Sequence, residues 1–152
     1  MEDLQNYDFC IEWMNELLNS LGDNCSSEEC AKLIKPCSAC CLKRMEPIVE
    51  KYVGDLQGFI EYMGEECGQV ITYDKEQQLI VVNENKSECV CAIAKCMQER
   101  NVSPTLCYCS ANMTGAMISK IASKRAEARV VSSILRGDKT CVYEIKIFND
   151  SK

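Results

Sequence analysis

The sequence predicts an α+β fold, with amino-terminal helices packed on a small antiparallel sheet built from two hairpins. Three observations carry this. Apolar residues recur at three- and four-residue steps through the first sixty or so positions. The period then changes to β-rich runs at residues 70–73 and 79–82. A strict alternation closes the chain, with Cys141, Tyr143, Ile145 and Ile147 on one face and Val142, Glu144 and Lys146 on the other.

The first helix carries Leu4, Tyr7, Ile11, Met14, Leu18 and Leu21, with Asp3 placed to cap its start and Gly22 to end it. The stripe is too short for a coiled coil; it could seat against the domain or against a second copy, leaving a homodimer open. Residues 28–34 predict a short helix stopped near Pro36, which places Cys37 to Cys41 in a connection or helix start. Pro47 suits the first turn of the next helix, with Ile48, Tyr52, Leu56, Phe59, Ile60 and Met63 before Gly64. The two β-rich runs flank the polar Asp74-Lys75-Glu76-Gln77 stretch as a hairpin. Residues 89–98 read as extended, then helical. Met113, Met117, Ile118 and Ile121 mark another helix, opened near Ser110. Arg136-Gly137-Asp138-Lys139 makes a turn into the last strand, whose alternation points Cys141 inward.

A chain of 152 residues, 47% hydrophobic, can bury a substantial core. It reads as a single domain over 1–152, with a helical, cysteine-rich part at 1–44 and an α+β, ligand-binding-like part at 45–150. No apolar run approaches the roughly 18 residues that would suggest a membrane span, so no membrane partner is expected. The net charge of −6 argues against nucleic acid. The cationic cluster Lys120, Lys124, Arg125 and Arg129 reads as the solvated face and end of a helix.

Sulfur dominates the functional reading. There are thirteen cysteines and no histidine, which excludes imidazole ligands and Ser/His or Cys/His relays. The acidic opening lacks the basic segment and apolar core of a secretion signal, so free thiols in a cytoplasmic, reducing compartment are expected. An extended C-x-C step places both sulfurs on one face, and the chain has two such steps, Cys89/Cys91 and Cys107/Cys109. Cys107 and Cys109 also precede a predicted helix, whose amino terminus favours thiolate, the form that binds metal or attacks carbon. The competing use is plain core filling, since free cysteine is among the most buried residue types.

The stretch Pro104-Thr105-Leu106-Cys107-Tyr108, the following helix with small residues Ala111, Gly115 and Ala116, and the segment from Ser132 through Gly137 to Cys141 resemble the 4-vinyl reductase small-molecule-binding domain family. The similarity covers mainly residues 104–147, with looser agreement in element order from residue 45. It implies a structural zinc beside a buried pocket for an aromatic or hydrocarbon effector, with Cys107 and Cys141 at the first and last ligand positions. Ser133 and Arg136 stand where the family has its middle pair of thiolates. Cys109, Cys89 and Cys91 are the geometric substitutes, completing a candidate ligand set of Cys107, Cys141, Cys109, Cys89 and Cys91. The same region resembles the related aminothiazoline-carboxylate hydrolases.

The expected function is binding or sensing of a small hydrophobic molecule beside a cysteine-thiolate metal site, with zinc as the cofactor. Met14, Met63, Met113, Met117, Tyr52 and Phe59 are candidates for an adaptable pocket lining. A cysteine-dependent hydrolase using Cys107 or Cys109 is the alternative. An iron–sulfur cluster, to which Cys37, Cys40 and Cys41 could contribute, is the second.

Overall fold

The computed structural model describes residues 2–97 and 101–149, with the side chains of 2–5 set aside. Five α-helices and four strands follow the order α1 (Glu2–Asn24), α2 (Ser27–Lys51), α3 (Leu56–Cys67), β1 (Val70–Asp74), β2 (Leu79–Asn83), α4 (Ala92–Cys96), α5 (Cys107–Ala122), β3 (Ala126–Ser132) and β4 (Val142–Ile147). Short 3-10 turns occur at Pro104–Leu106 and Ile134–Arg136. The strands form one antiparallel sheet in the order β1-β2-β4-β3, so the α+β expectation holds.

The sheet's inner face is set by the alternation in β4, where Tyr143, Ile145 and Ile147 are buried. Ile80 and Val82 of β2 lie across from Ile145 and Tyr143 in register. Val49 of α2, Phe59 and Met63 of α3, and Ile118 and Ile121 of α5 complete this core. Each fully buried aliphatic side chain there contributes about 1.5–3 kcal/mol. The β1-β2 hairpin is shaped by Asp74, whose carboxylate accepts from the backbone N–H groups of Glu76 and Gln77 at 3.0 Å.

α2 corrects the expectation of two helices broken by proline. It runs unbroken for 25 residues through Pro36 and Pro47. A proline inside a helix costs about 3 kcal/mol. Two features offset that cost: a capping box between Ser26 and Glu29, and packing along α5 more extensive than between any other two elements. Cys37, Cys40 and Cys41 are therefore helical, and residues 44 and 45 fall within one helix. The true break is at residues 52–55, after which the Asp55 carboxylate caps α3 by accepting from Gly58 N at 2.9 Å.

In α1, Gly22 does not end the helix. A Cβ there would lie 2.6 Å from Thr105 Oγ1, so the glycine permits close approach to the 104–106 turn. Tyr7 Oη donates to the carbonyl of Cys96 at 2.5 Å, and Asn15 Oδ1 accepts from Ser103 N at 3.1 Å. Ile11 is buried, whereas Tyr7 and Met14 of the expected stripe are largely exposed, as are Phe9, Trp13 and Leu17.

The residues expected to continue a helix past Ile121 turn instead. Ser123 adopts a left-handed conformation, and Arg129 lies on strand β3 with its guanidinium 2.8 Å from Glu144. β3 presents Ala126 and Ala128 towards α5, where a Cβ on Gly115 would come within 3.2 Å of the Ala128 Cβ. Glycine at 115 lets the helix lie this close to the sheet.

Candidate functional site

α5 starts earlier than Ser110, and this changes the sulfur geometry. Cys107 and Cys109 lie in its first turn, so their side chains diverge by about 200° around the axis. The one-face arrangement expected of an extended C-x-C step does not form at this pair. Cys89 and Cys91 lie in the irregular segment before α4, with Cys91 as its N-cap residue. That helix covers residues 92–96; Gln98 lies outside the described residues.

Despite the divergence, Cys107, Cys141, Cys109, Cys89 and Cys91 all line one cavity of about 310 Å³, together with Cys41. Met45, Leu106, Met113 and Leu135 give the chamber its apolar character, and Glu84, Ser110 and Tyr143 supply polar atoms. Its volume lies at the lower end of the ~300–1,000 Å³ typical of ligand pockets. Of the methionines and aromatics expected to line a pocket, Met113 does so. Met63, Met117 and Phe59 fill the sheet core, Tyr52 packs against it, and Met14 is exposed.

On one side of the chamber, Cys107 Sγ sits 2.9 Å from Ser133 Oγ, and Ser133 is fully buried. Ser133 Oγ also accepts from Leu135 N at 3.1 Å, while Cys141 Sγ accepts from Ile134 N at 3.5 Å. Ser133, which the resemblance put at a thiolate position, here serves as a hydrogen-bond partner for Cys107. Burial pushes the Cys107 thiol up to about 11; the Ser133 hydrogen bond pulls the other way, and nearby Cys141 and Cys89 add to the rise. Burial pushes Cys109 up to about 12, reinforced by Cys41 beside it. Burial thus favours the thiol at both positions and opposes the thiolate expected of a helix start. Tyr143 is also held protonated by burial, against the pull of a hydrogen bond with Ser110.

Glu84 lies at the chamber wall, where desolvation raises its carboxyl above the usual range. Gln69 Nε2 donates to it at 2.9 Å and, with Lys86, opposes that shift. Elsewhere, Cys30 is buried with its Sγ 3.3 Å from the carbonyl of Leu21, so it packs α2 against the end of α1. Cys37 and Cys40 are exposed. Sequence reasoning missed Cys41 and Glu84 as lining residues because both are brought in from distant elements. The 3.6-residue period of α2 would place Cys41 on the buried face with Ile34 and Ser38 once that helix was read as continuous.

The metal-binding expectation is also corrected. Among the described residues, no group of three or more His, Cys, Asp or Glu side chains is arranged to hold a metal ion. The thiols are spread around a chamber instead of converging on one point, whereas tetrahedral zinc needs four donors at about 2.0–2.3 Å.

No family model matches the sequence, and no curated protein matches it significantly. Among solved structures, the chain resembles a trafficking protein particle complex subunit 3 from Naegleria fowleri, described as covalently bound to palmitic acid. The TM-score is 0.53 at 11% identity, over 97% of this chain and 98% of that one. This likeness establishes a shared fold, and the protein that shows it is a trafficking-complex subunit, not the 4-vinyl reductase-like domain expected from residues 104–147.

Proposed function

We propose that this chain binds a small hydrophobic molecule, of the fatty acyl class, in the cysteine-lined chamber between α2, α5 and the segment before α4. The observation that carries this is the chamber itself: about 310 Å³, walled by apolar side chains and protonated thiols. Neutral thiols behave as small hydrophobes, so such a wall favours a hydrocarbon over a charged ligand. The Naegleria subunit, with the same fold, holds palmitic acid, which supports the acyl class. That subunit belongs to a protein complex, which supports protein partners for this chain too. Among the described residues, no helix is long and apolar enough to cross a membrane.

A cysteine-dependent hydrolase has less support. Cys107 and Cys109 are held as thiols, and no imidazole exists to deprotonate them. Thiol protection tests the binding reading. Palmitic acid should slow alkylation of Cys91 and Cys41, which line the chamber, and leave the exposed Cys10 and Cys96 unchanged. Equal rates at all four sites with and without palmitic acid would refute it.

A further inference from the structure

A second groove, of about 1260 Å³, lies apart from the chamber, between the amino-terminal half of α2, α5 and strand β3. Lys32 and Lys35 of α2, Lys120 of α5, Lys124 and Arg125 of the following turn, Arg129 of β3, and Arg136 line it. Its carboxylates are Glu28 and Glu127. Seven cations less two anions give a local charge of +5, in a chain whose net charge is −6. Part of this charge is paired: Lys120 lies 3.7 Å from Glu50, Arg129 pairs with Glu144, and Arg125 pairs with Glu127. Lys32 and Lys35 are exposed on α2.

One wall of this groove is the edge of the sheet. β3 is the terminal strand and pairs with β4; among the described residues, no backbone hydrogen bond closes its other side. The groove touches five consecutive residues, Ala126 to Val130. Successive strand residues point to opposite faces, so a groove that meets all five runs along the open edge and not over one face. An open edge is a template for strand addition.

We propose that this groove binds an extended acidic segment of a protein partner, added as a further strand beside β3 with its carboxylates facing the lysines and arginines. A second copy of this chain presenting the same edge would set basic residues against basic residues. A nucleic acid would offer phosphate acceptors but no alternating donors for the β3 carbonyls, and the chain's net negative charge repels a long polyanion. The proposal is independent of what fills the chamber. It rests on the protein-partner reading only for the existence of a partner.

Fluorescence anisotropy on the full chain tests it, using a short fluorescein-labelled peptide of alternating glutamate and valine. Binding should be saturable at low salt and weakened ~10-fold or more by the double variant Lys32→Glu/Lys35→Glu. Circular dichroism shows whether that variant is folded, and Lys124→Glu gives a second reading from the other wall. N-methylating one alternate set of peptide amides should abolish binding, while N-methylating the other set should be tolerated, because only one set faces β3. Absence of saturable binding, equal binding of both methylated peptides, or tighter binding of a single-stranded oligonucleotide of equal charge would each overturn the proposal. Any of these would leave assembly through other surfaces intact, which co-purification of full-length partners reads separately.

Discussion

Cys107 Sγ lies 2.9 Å from Ser133 Oγ, joining the first turn of α5 to the residue that leaves β3. The contact fixes the wall of the chamber, because Cys141 reaches the same corner through Ile134 N. Ser133 ties that corner together: its hydroxyl meets Cys107 and Leu135 N, its own N–H donates to the Asp138 carboxylate at 2.9 Å, and its carbonyl accepts from Arg136 N and Asp138 N.

Ser133→Ala removes the hydroxyl from a fully buried site and strands two partners. The expected loss of stability is about 1–3 kcal/mol by chemical denaturation, with the fold retained. A change within a few tenths of a kcal/mol would show that the Cys107–Ser133 contact has no structural weight.

Cys107 gives a pH dependence with a defined sign. Its folded value, about 11, lies above the ordinary 9.0, so the folded state retains the proton longer than the unfolded chain does. The stability contributed is complete below about pH 9 and falls as pH rises towards 11. Denaturation midpoints across that range should fall more steeply for the wild type than for Cys107→Ala. In alkylation at pH 8, mass spectrometry should find Cys107 and Cys109 modified far more slowly than exposed Cys10.

Glu84 carries a raised carboxyl at the chamber wall, so between its ordinary value of 4.5 and its folded value the native state binds the extra proton. Stability therefore falls as pH rises through that window. Glu84→Gln keeps a partner for Gln69 and removes the charge. It should flatten the pH dependence above 4.5 and raise the thermal midpoint at neutral pH; a lower midpoint would show that the carboxylate is stabilising.

Pro36 lies exposed inside α2, where it removes a backbone donor without filling the core. Pro36→Ala should stabilise the protein by about 1–3 kcal/mol, less whatever entropy proline removes from the unfolded chain. Loss of stability on that substitution would mean that proline at 36 is needed to fit α2 along α5.

Much of the fold was legible because its period is carried by large apolar side chains: the helical period of α1, the β1-β2 hairpin and the inward set of β4 all read directly, although only part of the α1 stripe is buried. β3 did not, because its inward positions include Ala126 and Ala128, kept small by the close approach of α5 at Gly115. Its outward Arg129 then read, with Lys120, Lys124 and Arg125, as the solvated face and end of a helix. The prolines of α2 hid one helix in two, although Ser26 and Glu29 already spelled a capping box. At the site, the meeting of Cys107 and Cys141 was anticipated by resemblance, but the protonation of the thiols was not. Burial is a property of the assembled layers, and no local spacing reports it.

A cysteine-lined chamber that holds a hydrocarbon chain must take up palmitic acid. Calorimetric titration of palmitic acid into the wild type and into Ser110→Phe, which projects a ring into the chamber from α5, tests it most directly. Saturable one-to-one binding is expected for the wild type and should be lost in folded Ser110→Phe. Wild-type protein that takes up no palmitic acid, or a variant that binds it equally well, would contradict it.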